Sequence, residues 1–344
     1  MLKKLFKPRN LAIMLVAVGM IVVSSMTPFL KVPKPVVSLA AEPVLHIGGF
    51  TISNALLTAW IVMVVLIIMA WAATRRMPKD LERASNQELV PSGFQNLMEM
   101  VIEALYNISK SIGGSWTPKF FPIAATIFLF VLLSNWLGLL PGFGSIGILE
   151  PPHYASQQGY EAVGAILTGT PAEAAEHEGA TTDDAAHGAA TGEEAHKFPG
   201  YIVVPFFRAP STDLNFTLAL GLISIALVQY FGVKALGFGY FKKFFDVSGF
   251  KKGAFDGVVG IFVGVLELIS EFARILSFGF RLFGNIFAGE VLLGVMAFLI
   301  PYFVSLPFYG LELFVGFIQA AVFMMLTLVF FATATVGHGS EEHH

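Results

Sequence analysis

Residues 267–290 read ELISEFARILSFGFRLFGNIFAGE, and they place a cation, Arg281, with apolar residues on both sides. Long apolar runs surround this stretch, so the arginine is expected at membrane depth. A fixed cation inserted there costs about 3 kcal/mol on insertion scales, which favours a functional task. Arg281 is therefore the first candidate functional residue.

A helical projection shows which polar residues share a face with Arg281. Glu271 lies at the edge of that face, and Glu290 points to the opposite side. At about 1.5 Å per residue the polar line is about 27 Å long, close to the thickness of a bilayer's hydrocarbon core. Small neighbours, Gly284 and Ala288, let another helix come close. At about 100° per residue, the residues within about 40° of one line are Glu267, Ser270, Arg274, Ser277, Arg281 and Asn285.

The composition of the 344 residues is that of a multi-pass membrane protein. Hydrophobic residues make up 55% and charged residues 13%, and the mean hydropathy is +0.72. The absence of cysteine excludes disulfides, thiolate catalysis and cysteine-ligated metals. We predict an all-α fold of transmembrane helices.

Residues 1–41 form the first predicted region. The basic residues 1–10 precede an apolar run over 11–26, the pattern of a signal peptide or of a signal-anchor helix. Residues 38–41, SLAA, have the small side chains of a cleavage site, so cleavage and retention both stay open. Either way, the chain that follows starts outside.

Residues 42–142 are predicted to hold the next two spans. Apolar runs over 52–73 and 120–140 are long enough to cross a bilayer, and basic residues after the first run place that end in the cytoplasm. Between them, 86–112 has the period of an amphipathic helix. Such a helix lies on the membrane surface, leads into the next span or simply connects the two spans.

Residues 143–209 are predicted to be an extracytoplasmic insert. Its acidic middle, 150–197, is rich in Ala, Glu, Gly, Thr and His, so we expect a mobile, solvent-exposed loop. We favour a low-complexity segment over a metal site, because the histidines are irregularly spaced and fit no compact ligand pattern: His153, His177, His187 and His196.

Residues 210–344 are predicted to carry the remaining spans. The sequence PSTD at 210–213 suits the start of a helix that runs to 233, and the lysines that follow place its end in the cytoplasm. The segment 253–300 is too long for one perpendicular span. It must tilt strongly or fold back.

The last predicted span covers 314–336, after a turn marked by Pro301 and Pro307. Glu312 lies just ahead of this span, and it shares a helix face with Gln319 about 10 Å away. The polar C-terminal tail is then expected in the cytoplasm.

Residues 281–290, RLFGNIFAGE, resemble the signature of subunit a of F-type ATP synthases, the membrane stator subunit that carries protons to and from a rotor ring. Three further stretches, 135–141, 210–217 and 319–323, resemble the same family. The resemblance covers most of the chain after the N-terminal extension and fails over the insert. It implies a long tilted helical hairpin that packs against the rotor ring.

Carried over position by position, the resemblance makes Arg281 the essential arginine that gates the path and partners the rotor carboxylates. Gln319 matches the glutamine that faces it from the last helix. At Glu312 some members have histidine, so acids at both Glu290 and Glu312 leave the local proton affinity open. The other matched polar positions are Asn285, Glu290, Glu267, Arg274 and Ser277.

The resemblance also implies a mechanism with two aqueous half-channels that do not meet. It places Glu290, Glu312 and Gln319 in the outside-facing half-channel. The polar residues near the ring contact are then Asn285, Glu267 and Ser277.

The implied partners are the c-subunit ring, the peripheral-stalk b subunits and the lipid bilayer of a plasma or inner membrane. Neither a cofactor nor a nucleic acid is implied, and the subunit is no enzyme on its own. Proton and sodium coupling both stay open, because the ring's ion site is on another chain.

Two other protein classes fit less well. A secondary ion-coupled transporter also has intramembrane charges, but no internal repeat relates residues 50–140 to 210–336. An intramembrane hydrolase needs a nucleophile with a base or a metal motif inside the spans, and the histidines lie in loops and the tail. Nucleotide hydrolysis is excluded by the lack of a P-loop.

Structural roles stay open for several of these residues. Arg281 is also a candidate ion-pair partner of Glu290 or Glu312. Glu267 and Arg274 lie near a helix end, where long charged side chains reach the membrane surface. The remaining alternative for a polar residue is interhelical hydrogen bonding by Gln319.

Overall fold

The structure is a computed structural model that describes residues 41–75, 77, 93–140, 142–150, 202–244, 254–299 and 305–335, together with residue 19. The predictions for the signal segment, the histidines of the insert and the C-terminal tail therefore fall outside the described residues. The same is true of the first residues of the predicted amphipathic helix.

Helices dominate the described part of the chain. Five helical segments there are long and apolar enough to cross a membrane, with 94–138 counted as one segment. This finding confirms the prediction of an all-α, multi-pass membrane protein. The helices are α1 (Asn54–Thr74), α2 (Phe94–Gly113), α3 (Thr117–Gly138), α4 (Leu214–Leu236), α5 (Ala254–Leu299) and α6 (Ser305–Thr335).

Two short antiparallel hairpins are additions to the predicted fold. The strands are β1 (Pro43–Ile47) with β2 (Phe50–Ser53), and β3 (Gly147–Glu150) with β4 (Ile202–Pro205). Strands this short carry too little periodicity to be read from a sequence. The second hairpin brings the two ends of the insert side by side.

Asn54 joins the two hairpins at the start of α1. Its Oδ1 accepts from the N–H of Glu42 at 3.2 Å, and its Nδ2 donates to the carbonyl of Pro205 at 3.3 Å. Just before it, the Ser53 hydroxyl accepts from the N–H of Leu56 at 3.3 Å and caps the helix. The chain that leaves β4 is therefore fixed against α1.

Helix α5 is one unbroken helix of 46 residues. The alternative that 253–300 folds back is therefore wrong. At about 1.5 Å per residue α5 is about 69 Å long, more than twice a hydrocarbon core of about 30 Å. A helix of this length keeps its apolar residues in a bilayer by lying strongly tilted.

The ends of α4 and α6 test two further predictions. Asp213 caps α4 as expected, since its carboxylate accepts from the N–H of Asn215 at 2.9 Å. Helix α6 begins at Ser305, so Glu312 lies inside the helix and not ahead of it. Pro307 does not prevent this, because the N–H groups of a first turn have no intrahelical partner.

The core lies between α3, α4 and α6. Phe120, Phe231 and Phe331 form a triangle with ring centroids 4.9 to 5.3 Å apart. Helix α5 packs beside this core through Phe278, whose ring lies 4.8 Å from that of Phe323. Much of the rest of α5 is exposed and apolar, which leaves a long face for lipid or a partner.

Candidate functional site

Arg281 lies on an exposed face of α5. Its Nη2 donates to the Ser277 hydroxyl one turn earlier at 3.5 Å. Among the residues that the structure describes, none forms an ion pair with Arg281, including Glu290 and Glu312. The alternative of a structural ion pair with those two residues is therefore wrong within this chain, and the guanidinium faces outward.

Asn285 connects the polar line of α5 to α6. Its Nδ2 donates to Oε1 of Gln319 at 2.8 Å, and Gln319 is 4% exposed. The bond lies one turn from Arg281 along α5. It fixes the two helices at the level where the polar line ends.

Arg274 gathers two acidic side chains at the other end of the polar line. It pairs with Glu271 at 2.8 Å and with Glu267 at 3.9 Å, and its guanidinium lies 4.9 Å from the ring centre of Phe330. We call Glu267, Glu271 and Arg274 the acidic cluster. The projection placed Glu271 only at the edge of the polar face, and the contact with Arg274 gives it a place in the cluster.

A cavity of about 290 Å³ lies between α3, α5, α6 and the chain before α4. Glu290 and Glu312, which the family resemblance assigned to one path, both line it. Asn135 and Tyr309 add polar groups to its wall. The cavity brings together residues that are far apart in the sequence, which a projection of a single helix cannot show.

Glu312 is buried in this wall, with 6% of its surface exposed. Its carboxyl group lies against the backbone of Gly289, and a Cβ atom added to that glycine would overlap it. Gly289 is therefore the residue that lets the acid of α6 approach α5. Glu290, the other carboxylate of the cavity, directly follows Gly289 in the sequence.

The end of α3 is held on α6 by two side chains. The Asn135 amide donates to the carbonyl of Gly316 at 3.2 Å, and the Trp136 indole donates to the carbonyl of Leu313 at 3.1 Å. These bonds fix the cavity wall and account for the polar pair in an otherwise apolar helix.

Arg208 is a residue of the site that the sequence analysis did not single out. It is 7% exposed, and its Nη2 lies 3.4 Å from Oε2 of Glu290. The available signal was an isolated arginine in an apolar stretch, Phe206-Phe207-Arg208-Ala209-Pro210. It was overlooked because the boundary of the insert was drawn just after it.

The acidic cluster and the cavity lie on opposite sides of Arg281 along α5. At about 1.5 Å per residue, Glu267 is about 21 Å from Arg281 in one direction and Glu290 is about 14 Å away in the other. Arg281 therefore lies between two regions of α5 that contain acidic side chains. Among the described residues no group of three or more potential metal ligands occurs.

The fold and the site define a multi-pass membrane protein with polar groups placed along one long helix. Residues 56–332 match the family model described as ATP synthase A chain. The chain is 31% identical to ATP synthase subunit a of Gloeobacter violaceus over 85% of this chain and 86% of that protein. It is 30% identical to the chloroplastic ATP synthase subunit a of Stigeoclonium helveticum over 87% and 89% of the two chains. The chain therefore belongs to the ATP synthase A chain family, which confirms the resemblance.

Proposed function

We propose that the chain is the proton-translocating subunit a of the membrane sector of an F-type ATP synthase. It forms two half-channels and presents Arg281 to the carboxylates of a c-subunit ring, so that ion flow is coupled to rotation and to ATP synthesis. One observation carries this proposal. Arg281 is exposed, has no carboxylate partner in the described chain and lies between the cavity and the acidic cluster.

The chemistry of Arg281 suits a gate between half-channels. An arginine stays charged at any relevant pH, whereas a buried lysine loses its proton more readily. Lipid favours the neutral form of a rotor carboxyl, and a nearby guanidinium favours the ionised form. Arg281 therefore makes each rotor carboxyl release its proton at the stator, and its fixed charge blocks direct passage of protons between the half-channels.

The cavity supports an outside-facing half-channel that contains Glu290, Glu312 and Gln319. Both carboxylates line it, so each can take up and pass on protons that enter from water. Gln319 lies about 10 Å from Glu312 along α6 and bonds Asn285. Polar side chains therefore extend from the cavity to Asn285, which lies one helical turn from Arg281.

The acidic cluster supports the second half-channel on the cytoplasmic side. Glu267 and Ser277 lie on the same face of α5 as Arg281, and we assign them, with Asn285, to the polar lining near the ring contact. Arg274 forms ion pairs with Glu267 and Glu271, so charged side chains are held together at this end of the polar line.

The exposed apolar face of α5 supports a c-subunit ring and lipid as the neighbours of this subunit. Peripheral-stalk b subunits complete the proposed stator, and the subunit has no catalytic activity of its own. The proposed orientation has the insert outside and the C-terminus in the cytoplasm of a plasma or inner membrane.

The direct test replaces Arg281 in the assembled complex. Membrane vesicles with Arg281→Ala are compared with wild type for ATP-driven proton pumping and for passive proton conduction. Lys234→Ala is the matched control, since it removes another exposed cation from a different helix. We expect assembly in all three and loss of coupled pumping in Arg281→Ala alone. Normal pumping by an assembled Arg281→Ala complex would overturn the proposed function.

A further inference from the structure

Arg208 is a buried cation at the proposed outward path, and the half-channel mechanism gives it no task. Its side chain is 7% exposed. A buried guanidinium is strongly unfavourable unless charged or polar groups compensate it. A residue kept at such a cost, in the wall of a cavity with two carboxylates, requires an explanation.

The backbone of Arg208 is fixed by two helices. Its N–H donates to the hydroxyl of Thr58 in α1 at 3.2 Å. The next residue, Ala209, lies so close to Gly138 of α3 that a Cβ added there would be 2.6 Å from the Ala209 Cβ. The chain at Arg208 therefore has little freedom, and its side chain starts from a defined position.

The side chain of Arg208 ends at Glu290. Nη2 donates to Oε2 at 3.4 Å, and the Glu290 side chain is 50% exposed. The titratable and charged residues that line the cavity are Arg208, Glu290, Tyr309 and Glu312. A half-exposed glutamate samples several rotamers unless a partner restrains it. The fixed arginine is such a partner.

We propose that Arg208 is a positioning residue of the outward proton path, which holds the Glu290 carboxylate at the wall of the cavity that Glu312 also lines. The inference rests on the proposed function of the chain. Arginine suits the task because its planar, always charged group offers several donors in a rigid arrangement. Glu290 exchanges the protons, and Arg208 acts by holding the Glu290 carboxylate in position.

A double-mutant cycle in the assembled complex tests this pair. Passive proton conduction is measured in membranes stripped of the catalytic sector for wild type, Arg208→Gln, Glu290→Gln and the double variant. We expect Arg208→Gln to lower conduction about tenfold through loss of orientation. The double variant should conduct no less than Glu290→Gln, because residues that act through one contact are not additive. Arg208→Lys, which keeps the charge and loses the planar group of donors, should restore part of the conduction.

Lys234→Ala is the matched control, since it removes an exposed cation of α4 that does not line the cavity. We expect it to conduct like wild type. Wild-type conduction by Arg208→Gln, an equal loss in Lys234→Ala, or additive losses in the double variant would each overturn the inference. If Arg208→Gln fails to assemble, assembly of the double variant supports the pair and its failure overturns it.

Arg281→Ala, measured for ATP-driven pumping in vesicles that keep the catalytic sector, separates the inference from the function on which it rests. Coupled pumping by Arg281→Ala would remove the proposed function itself. Loss of pumping in Arg281→Ala together with normal conduction in Arg208→Gln would remove the positioning role and leave the function in place.

Discussion

At Gly289 the backbone of α5 leaves room for the carboxyl group of Glu312 and for no side chain of its own. Gly289 of α5 and Glu312 of α6 therefore form a contact between the two helices. Any larger residue at this position must displace the acid or separate α5 from α6.

Gly289→Ala is expected to impair proton conduction. The added methyl group overlaps the Glu312 carboxyl, and overpacking of this kind costs about 1–3 kcal/mol. A displaced acid loses its position in the cavity wall, so we expect about a tenfold loss of passive conduction. The measurement is proton flux in vesicles with the assembled complex.

Gly310→Ala is the control for helix propensity, because a Cβ added to that glycine of α6 meets no atom within 4 Å. It should conduct like wild type. Combining Gly289→Ala with the shorter Glu312→Asp should recover part of the flux. Equal flux in Gly289→Ala and wild type would show that the contact has no influence on the path.

Sequence reasoning found residues that share a face of one helix and missed contacts between helices. Arg281 stood out as a cation within an apolar stretch, and periodicity placed Asn285 on the same helix face. Arg208 pairs with Glu290 across 82 positions of the chain, and no local pattern encodes such a pair. The resemblance did place Gln319 opposite the polar face of α5, and interhelical hydrogen bonding was named as its alternative role; its partner, Asn285, is known only from the fold.

Helices α4 and α5 approach through two glycines. A Cβ on Gly221 would lie 3.0 Å from the carbonyl oxygen of Ile275, and a Cβ on Gly279 would lie 2.6 Å from Cδ2 of Leu218. This contact sets the distance between the long helix and the core, and with it the position of Arg281 on the outer face.

Gly279→Val is expected to destabilise the subunit by about 1–3 kcal/mol, because its side chain meets Leu218 in a packed contact. Thermal unfolding of the purified complex in detergent measures the effect. Leu218→Ala in the same chain should return part of the lost stability by making room. A Gly279→Val complex with unchanged stability would mean that the two helices separate freely at this point.

The long helices were predicted from the sequence, and the short strands were missed. The apolar length of each span and the Asp213 cap are local signals, so α1, α3 and α4 came close to the expected bounds. The start of α6 was placed too late, because Pro307 was taken as a turn residue and is accommodated in a first helical turn. The pairing of β3 with β4 joins distant segments, which composition does not reveal. The Gly48-Gly49 pair between β1 and β2 was a local turn signal that the sequence analysis overlooked.

For the molecule as a whole, the hairpin of β3 and β4 brings together the two parts of the chain that flank residues 151–201. Glu150 lies opposite Ile202 at the end of the hairpin, so the two points where the insert begins and ends are neighbours. Nothing in the helical arrangement therefore requires a long connection between them.

We predict that residues 151–201 can be replaced by a two-residue Asn-Gly turn, which matches the twist of an antiparallel hairpin. The shortened chain should assemble and carry out coupled pumping at the rate of wild type. ATP-driven pumping in vesicles, with the amount of assembled subunit determined by immunoblot, is the measurement. A complex that assembles and does not pump would assign the insert a role in transport.

The unbroken helix α5 sets the distances between the groups of the proposed proton path. Glu267, Arg281 and Glu290 belong to one rigid rod, so their spacing along it is set by the helical rise and does not depend on loops. The depths at which protons would enter and leave are thereby fixed relative to one another. A break in the helix near Arg281 would let the entry depth and the exit depth change independently. In the proposed mechanism, rotor carboxyls that all lie at a single depth would then lose their alignment with the entry point or with the exit point.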